Sequence, residues 1–372
     1  MTQELSQQPQ PATVDGVDNV DTVDIDQDQL TATKETLEDY TLRFAPRSYR
    51  KWSTRVVGIS ALGGIAYLAD FAIGANIGIS YGTTNALAGI AIFAVVIFLT
   101  GFPVAYYSAR YNIDLDLVTR GSGFGYYGSV VTNVIFATFT FIFFALEGSI
   151  MAQGLKLGLG IPLWLGYAAS TLVIFPLVIY GMKVLSTLQV WTTPLWLILM
   201  VAPFGYLLIS HPESVHDFFA YQGTGGVHGF DIGSTLLAAG VCLSLIAQIA
   251  EQNDYLRFMP AKTPENKRSW WTWLIFAGPG WVFIGAAKQI IGLFLAVYLI
   301  THVAGSVGIA NQPVHQFLGL LLLRDVFLGG DVVGYLAVRI HDGGDDGHFH
   351  IGGAVFAGVG ELAAPAFATL QR

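Results

Sequence analysis

Apolar stretches long enough to cross a bilayer follow one another from residue 56 to residue 300, which leaves few folds open to this chain. A spanning helix needs about 20 mostly apolar residues. Seven stretches qualify: 56–79, 86–106, 130–152, 161–180, 193–209, 232–250 and 273–300. Basic residues mark alternate loops. Arg43, Arg47, Arg50, Lys51 and Arg55 precede the first stretch, Arg110 and Arg120 follow the second, Lys183 the fourth, and Arg257, Lys262, Lys267 and Arg268 the sixth. The intervening loops hold only Lys156. The positive-inside bias then predicts a multi-pass protein of the cell membrane with a cytoplasmic N-terminus.

Composition points the same way: 53% of residues are hydrophobic, 12% are charged, and the mean hydropathy is +0.56. The net charge of −8 is misleading. Residues 1–40 hold ten acids against Lys34, a charge of −9, so the remainder of the chain is +1. That tail is polar and almost free of aromatic residues, a composition that predicts disorder. Nothing resembles a nucleic-acid footprint. The single cysteine, Cys242, lies in the sixth stretch and excludes an internal disulfide. With no short apolar leader ahead of a cleavage site, the first stretch is expected to direct insertion. The organisation expected is a disordered acidic cytoplasmic tail (1–40), a basic juxtamembrane segment (41–55), a membrane domain (56–317) and a C-terminal segment of different character (318–372).

Ionisable residues inside such stretches cost roughly 2.5–3.5 kcal/mol each at a helix centre, so they point to function or to pairing. Asp70, Glu147 and Lys288 stand out. Helical spacing puts Phe143, Glu147 and Met151 on one face. An aromatic ring one turn from a carboxylate suits a flat polar heterocycle: the ring stacks and the carboxylate accepts hydrogen bonds from ring N–H groups. The competing reading makes Glu147 structural, paired with Lys288 or with backbone. Asp70 either faces water near the outer end of its helix or forms an ion pair with Lys288. Internal glycines in the first and sixth stretches (Gly63, Gly64; Gly233, Gly240) sit where transporters built from inverted five-helix repeats carry broken helices around a midplane site.

Three further motifs resemble the nucleobase–cation symporter family, the purine–cytosine permeases and their hydantoin and allantoin relatives. Pro46, Arg50 and Trp52 match the family's segment before its first span. Arg120, Ser122, Phe124, Gly125 and Gly128 match its signature after the second span with one extra residue. Asp254, Tyr255, Leu256, Arg257 and Phe258 match the end of its sixth. The resemblance covers residues 40–317. It implies an all-α membrane protein with the inverted five-plus-five-helix, leucine-transporter-like fold, importing a purine, cytosine, hydantoin or allantoin by cation symport through alternating access.

The resemblance also implies site residues. Phe143 and Glu147 occupy the places of the family's third-span aromatic and Gln. The carboxylate accepts but does not donate unless protonated, which leaves the heterocycle open. Ser244 and Leu245 stand where the family unwinds its sixth span and places a second ring. Leu245 cannot stack, so the sandwich is incomplete or Phe144 or another ring closes it. Gln248 is a further candidate; interhelical hydrogen bonding is the other reading of Ser244 and Gln248. Carbonyls near Gly64 and Tyr67 correspond to the family's sodium ligands. No organic cofactor is implied, only a coupling sodium ion or proton, and the partners expected are a nucleobase-like small molecule and the lipid bilayer.

The resemblance ends near Phe317. The family's eighth span, rich in Asn, Thr and Ser, has no counterpart here, so the second repeat is expected to be incomplete. A truncated or frame-shifted product and a divergent genuine C-terminus are the two readings of 318–372. The first predicts that this chain does not accumulate substrate on a sodium gradient. The cluster from His341 to His350 contains three glycines and no fixed geometry; it reads as a solvated loop rather than a metal site. No nucleophile–base pair suggests an enzyme. The alternative function is a non-transporting remnant or sensor that keeps a base pocket.

Overall fold

A computed structural model describes residues 45, 50–179, 181–226, 228–303 and 306–321. The acidic tail, Pro46 and the segment beyond Leu321 lie outside the described residues, as do Arg43 and Arg47. The described residues form helices and contain no strand. In chain order these are α1 (Thr54–Gly63), α2 (Ala69–Tyr111), α3 (Leu115–Thr119), α4 (Gly125–Leu159), α5 (Leu163–Ile179), α6 (Gly181–Ser210), α7 (Glu213–Ala220), α8 (Ile232–Leu243), α9 (Gln248–Leu256), α10 (Lys267–Ala277), α11 (Trp281–His302) and α12 (Pro313–Leu321).

Five helical segments among the described residues are long and apolar enough to cross a membrane: Ala69–Tyr111, Leu115–Leu159, Val184–Ser210, Ile232–Leu256 and Lys267–His302. At 1.5 Å per residue, the 43 residues of α2 would reach about 65 Å, roughly twice the hydrocarbon thickness. The helix is interrupted at Gly82, whose φ of 79° and ψ of 162° leave helical space. Glycine tolerates that backbone, and the Gln222 main chain packs against it where a side chain would stand. The expected fourth stretch is a helix of 17 residues, Leu163–Ile179.

Three of the apolar stretches are broken, the first and sixth among them as the glycines and the resemblance lead one to expect, the seventh not foreseen. The first is split between α1 and α2 across 64–68. The sixth narrows to a 3₁₀ turn at Ser244–Ala247 before resuming as α9, which runs on to Leu256. The seventh separates into α10 and α11 at Gly278, Pro279 and Gly280, where Pro279 has no N–H to offer the ladder. The loop 211–231 holds the short helix α7.

Without a hydrophobic force between helices in lipid, close approach must come from small residues. The crossing of α2 and α11 shows this. Gly74 lies against the Gln289 backbone, Gly292 against the Phe71 backbone, and Gly78 against the Leu293 side chain. A core of Phe71, Ile73, Ile77, Phe93, Trp281 and Leu293 surrounds the crossing. Phe141, Trp164 and Trp191, on α4, α5 and α6, are more than 70% exposed, as befits surfaces that face lipid.

Two of the three motif segments, those of Trp52 and Phe258, meet at the basic end. Trp52 and Phe258 rings lie 5.4 Å apart. Arg50 donates to Asn112 Oδ1 at 2.8 Å, and the Asn112 amide donates to the carbonyls of Arg257 and Met259 at 2.8 Å each. Asn112 takes a left-handed conformation (φ 57°) that ends α2 and aims this amide. At the other end, Thr224 N–H donates to Ile79 O at 2.7 Å, and Asp231 N–H donates to Asn85 Oδ1 at 2.8 Å. The loop 211–231 is thereby folded over the corner at Gly82.

Candidate functional site

Breaking a helix inside apolar surroundings exposes carbonyls on one side of the gap and N–H groups on the other. The gap at 64–68 is answered by one charge at each edge. On the amide side, Glu147 of α4 accepts the N–H of Ala69 at 2.9 Å and of Leu68 at 3.2 Å. A carboxylate is the natural partner for the positive end of a helix, and no residue of α2 itself supplies that cap. On the carbonyl side, Lys288 of α11 donates from Nζ to Ile65 O at 2.6 Å and to Tyr67 O at 3.2 Å.

The same ammonium lies 2.7 Å from Asp70 Oδ2 and 3.8 Å from the centre of the Tyr67 ring. The Lys288 side chain is 3% exposed and the Asp70 side chain is fully buried. Gln289 Nε2 donates to the second Asp70 oxygen at 3.1 Å. Asp70 therefore sits in a bundle interior, paired, rather than in water at a helix end.

Beside the gap is an open cavity of about 640 Å³. Glu147 stands on its wall with Leu68, Phe144, Met151, Val314 and Phe317. Two residues of the face expected from helical spacing, Glu147 and Met151, reach it. Phe143 does not line it: its ring packs edge-on to Tyr67 at 5.6 Å and against Phe139 at 4.5 Å. Phe144, its neighbour on α4, reaches the cavity instead, with Phe317 of α12 the other ring on the wall.

The sixth-span residues are placed differently from one another. Ser244 is exposed, and its hydroxyl donates to Val241 O on its own helix at 2.7 Å. Leu245 is fully buried in the apolar core. Gln248 is buried and donates to Glu251 Oε2 at 2.5 Å. None of the three lines the cavity. Gly64 lies at the gap, where an added β-carbon would stand 2.8 Å from Glu251 Oε1. Of the two expected cation-site positions, Tyr67 contributes its carbonyl to the Lys288 ammonium, and the neighbouring carbonyl is that of Ile65.

Glu251 was not among the residues expected here. The apolar stretch ends at Ala250, so Glu251 reads as the start of a loop. Because α9 continues for another turn and a half, Glu251 is held half-buried beside Gly64, next to the buried Gln252 and Asn253. The signal was the motif Asp254–Phe258 itself, whose position requires the helix to continue. Gln189 of α6 was also missed; its amide donates to the Tyr255 hydroxyl at 3.0 Å.

Chemically, the arrangement offers a wide apolar cavity with one carboxylate on its wall, and behind it a gap in a helix held by an ammonium. Among the described residues no group of three or more His, Cys, Asp or Glu side chains could hold a metal ion. The described residues thus define an all-helical membrane protein with five segments fit to span a bilayer. No protein-family model, curated protein or solved structure matches the chain.

Proposed function

We propose that this chain is a cell-membrane permease for a nucleobase or related heterocycle, working by alternating access, with its N-terminus in the cytoplasm. The observation that carries the reading is the gap at 64–68, held by Glu147 on the wall of a cavity of about 640 Å³. Discontinuous helices at the midplane are how inverted-repeat transporters expose backbone dipoles to a substrate. There is a second interruption at Ser244–Ala247, and in this reading its helix is the counterpart of the first span in a second repeat. The motif segments around Trp52, Arg120 and Phe258 lend the family resemblance its weight, and that resemblance favours purines, cytosine, hydantoins and allantoin.

In this reading Glu147 accepts ring N–H groups with the lone pairs its two backbone bonds leave open; an ionised carboxylate has about four acceptor sites. Phe144 offers the nearest exposed ring, and Phe143 supports Tyr67 from behind. The test is equilibrium binding of labelled adenine, cytosine, hydantoin and allantoin to the full chain in lipid nanodiscs. Saturable binding of one class, lost in Glu147→Ala, is expected. Absence of saturable binding for all four by folded protein would overturn the reading.

A further inference from the structure

We propose that the Lys288 ammonium is a tethered replacement for a coupling metal cation, so that the site at the gap of the first span binds no sodium in the native chain. A metal-cation site in a membrane protein is a set of carbonyl and carboxylate oxygens that replaces the ion's hydration shell. In inverted-repeat transporters, unwound backbone carbonyls supply such oxygens. Here the freed carbonyls of Ile65 and Tyr67 and the buried Asp70 carboxylate converge, and one atom already sits among them. Lys288 Nζ is 2.6 Å from Ile65 O, 2.7 Å from Asp70 Oδ2 and 3.2 Å from Tyr67 O, with the Tyr67 ring face 3.8 Å away. An ammonium and a monovalent metal ion carry the same charge and compete for the same oxygens. With the ammonium held by a buried side chain, the metal ion has neither the space nor the uncompensated charge that would draw it in.

The other carboxylates near the gap are engaged elsewhere, Glu147 with the N–H groups of Leu68 and Ala69 and Glu251 with Gln248. Asp70 is therefore the anion that Lys288 neutralises. Removing the lysine side chain leaves a cavity walled by Ile65 O, Tyr67 O and an unpaired Asp70: a latent site for a monovalent cation. Under the permease reading, on which only the transport consequence rests, uptake by the native chain is independent of sodium.

The experiment measures thermal unfolding of the full chain in nanodiscs with no heterocycle present. Sodium, lithium, potassium and choline chlorides are compared at constant ionic strength. The native chain is expected to unfold at the same temperature in all four. Lys288→Ala is expected to unfold at a lower temperature in choline and to recover, saturably, in a small metal cation, as required when a ligand binds only the folded state. Lys288→Ser provides a second variant with a polar lining. Asp70→Asn added to Lys288→Ala should abolish the recovery. A sodium-specific rise in the native chain overturns the proposal. So does indifference of both lysine variants to every metal cation, including failure to fold in any of them, because the added cation is meant to restore the missing charge. Since no heterocycle is used, a metal response in Lys288→Ala stands even if the base-binding test fails, and the reverse also holds.

Discussion

The Glu147 carboxylate of α4 accepts the backbone N–H of Ala69, 2.9 Å away and 78 positions earlier in the chain. One side chain thus joins the wall of the cavity to the start of the helix that resumes after the gap. Binding at Glu147 and the seating of α2 are consequently linked.

Replacing Glu147 with Ala removes the cap of α2 as well as the acceptor facing the cavity. The loss of a cap costs about 1–2 kcal/mol. A depressed unfolding temperature together with loss of heterocycle binding is expected. Glu147→Gln keeps one acceptor oxygen and adds a donor, so it should retain most of the stability and shift preference among bases. Native stability in the Ala variant would show that the bonds to Leu68 and Ala69 contribute nothing.

Lys288 and Asp70 form a buried pair at 2.7 Å, and breaking one side leaves an uncompensated charge. Lys288→Met and Asp70→Asn should each destabilise by about 3–5 kcal/mol. The double variant should cost clearly less than the two added together, since neither charge then remains. A double-mutant cycle on unfolding temperatures checks this, and strict additivity would contradict the pairing.

The α2–α11 crossing depends on the absence of a β-carbon at two positions. A methyl group on Gly292 would fall on the Phe71 carbonyl, and one on Gly74 on the Gln289 carbonyl. Backbone cannot step aside as a flexible side chain can. Gly292→Ala and Gly74→Ala should each cost about 1–3 kcal/mol, the usual penalty of overpacking. Gly148 has no neighbouring atom at that place, so Gly148→Ala is the control and should leave the unfolding temperature unchanged.

Asp114 caps α3, accepting the Leu117 N–H at 2.9 Å, in the loop beyond α2. Burial raises its pKa from 3.8 to about 6, against the opposing effects of the Leu117 hydrogen bond and Arg257. Because the folded value lies above the unfolded one, folding favours the protonated carboxyl. Its contribution is fully present below about pH 4 and is lost as pH rises through about 6. Asp114→Asn keeps a capping side chain and should flatten that part of the curve of unfolding temperature against pH.

A reporter joined after Arg268 should be cytoplasmic, and one placed within 223–229 external, as the charge bias requires. Cleavage or labelling of both from the same side of the membrane would contradict the topology.

How much of this was legible in the residues depends on how local each property is. The apolar stretches and their charged loops appear because hydropathy is a property of a segment read by itself. Lys288 and Asp70 could be named as partners because a charge in such a stretch needs one. Glu147 carried two readings, and the backbone partner now found was one of them. Phe143 and Phe144 differ by a single position and 100° of helix rotation, so which ring reaches the cavity is set by how α4 is turned against α2.

Sequence alone determined that this chain spans a membrane, where its apolar segments lie and which of them contain charge, because each follows from the transfer cost of residues taken in order. Glycines near the first break and the resemblance at Ser244 marked two of the interruptions, but only the tertiary structure decided what holds the breaks open. An unwound turn is tolerable only if its freed carbonyls and N–H groups find partners, and here those partners come from α11 and α4, far along the chain. The placement of Glu251 beside Gly64 was decided in the same way, by the continuation of α9 past the last apolar residue. Such partners are fixed by helix packing in three dimensions, which the spacing of residues along one segment does not encode.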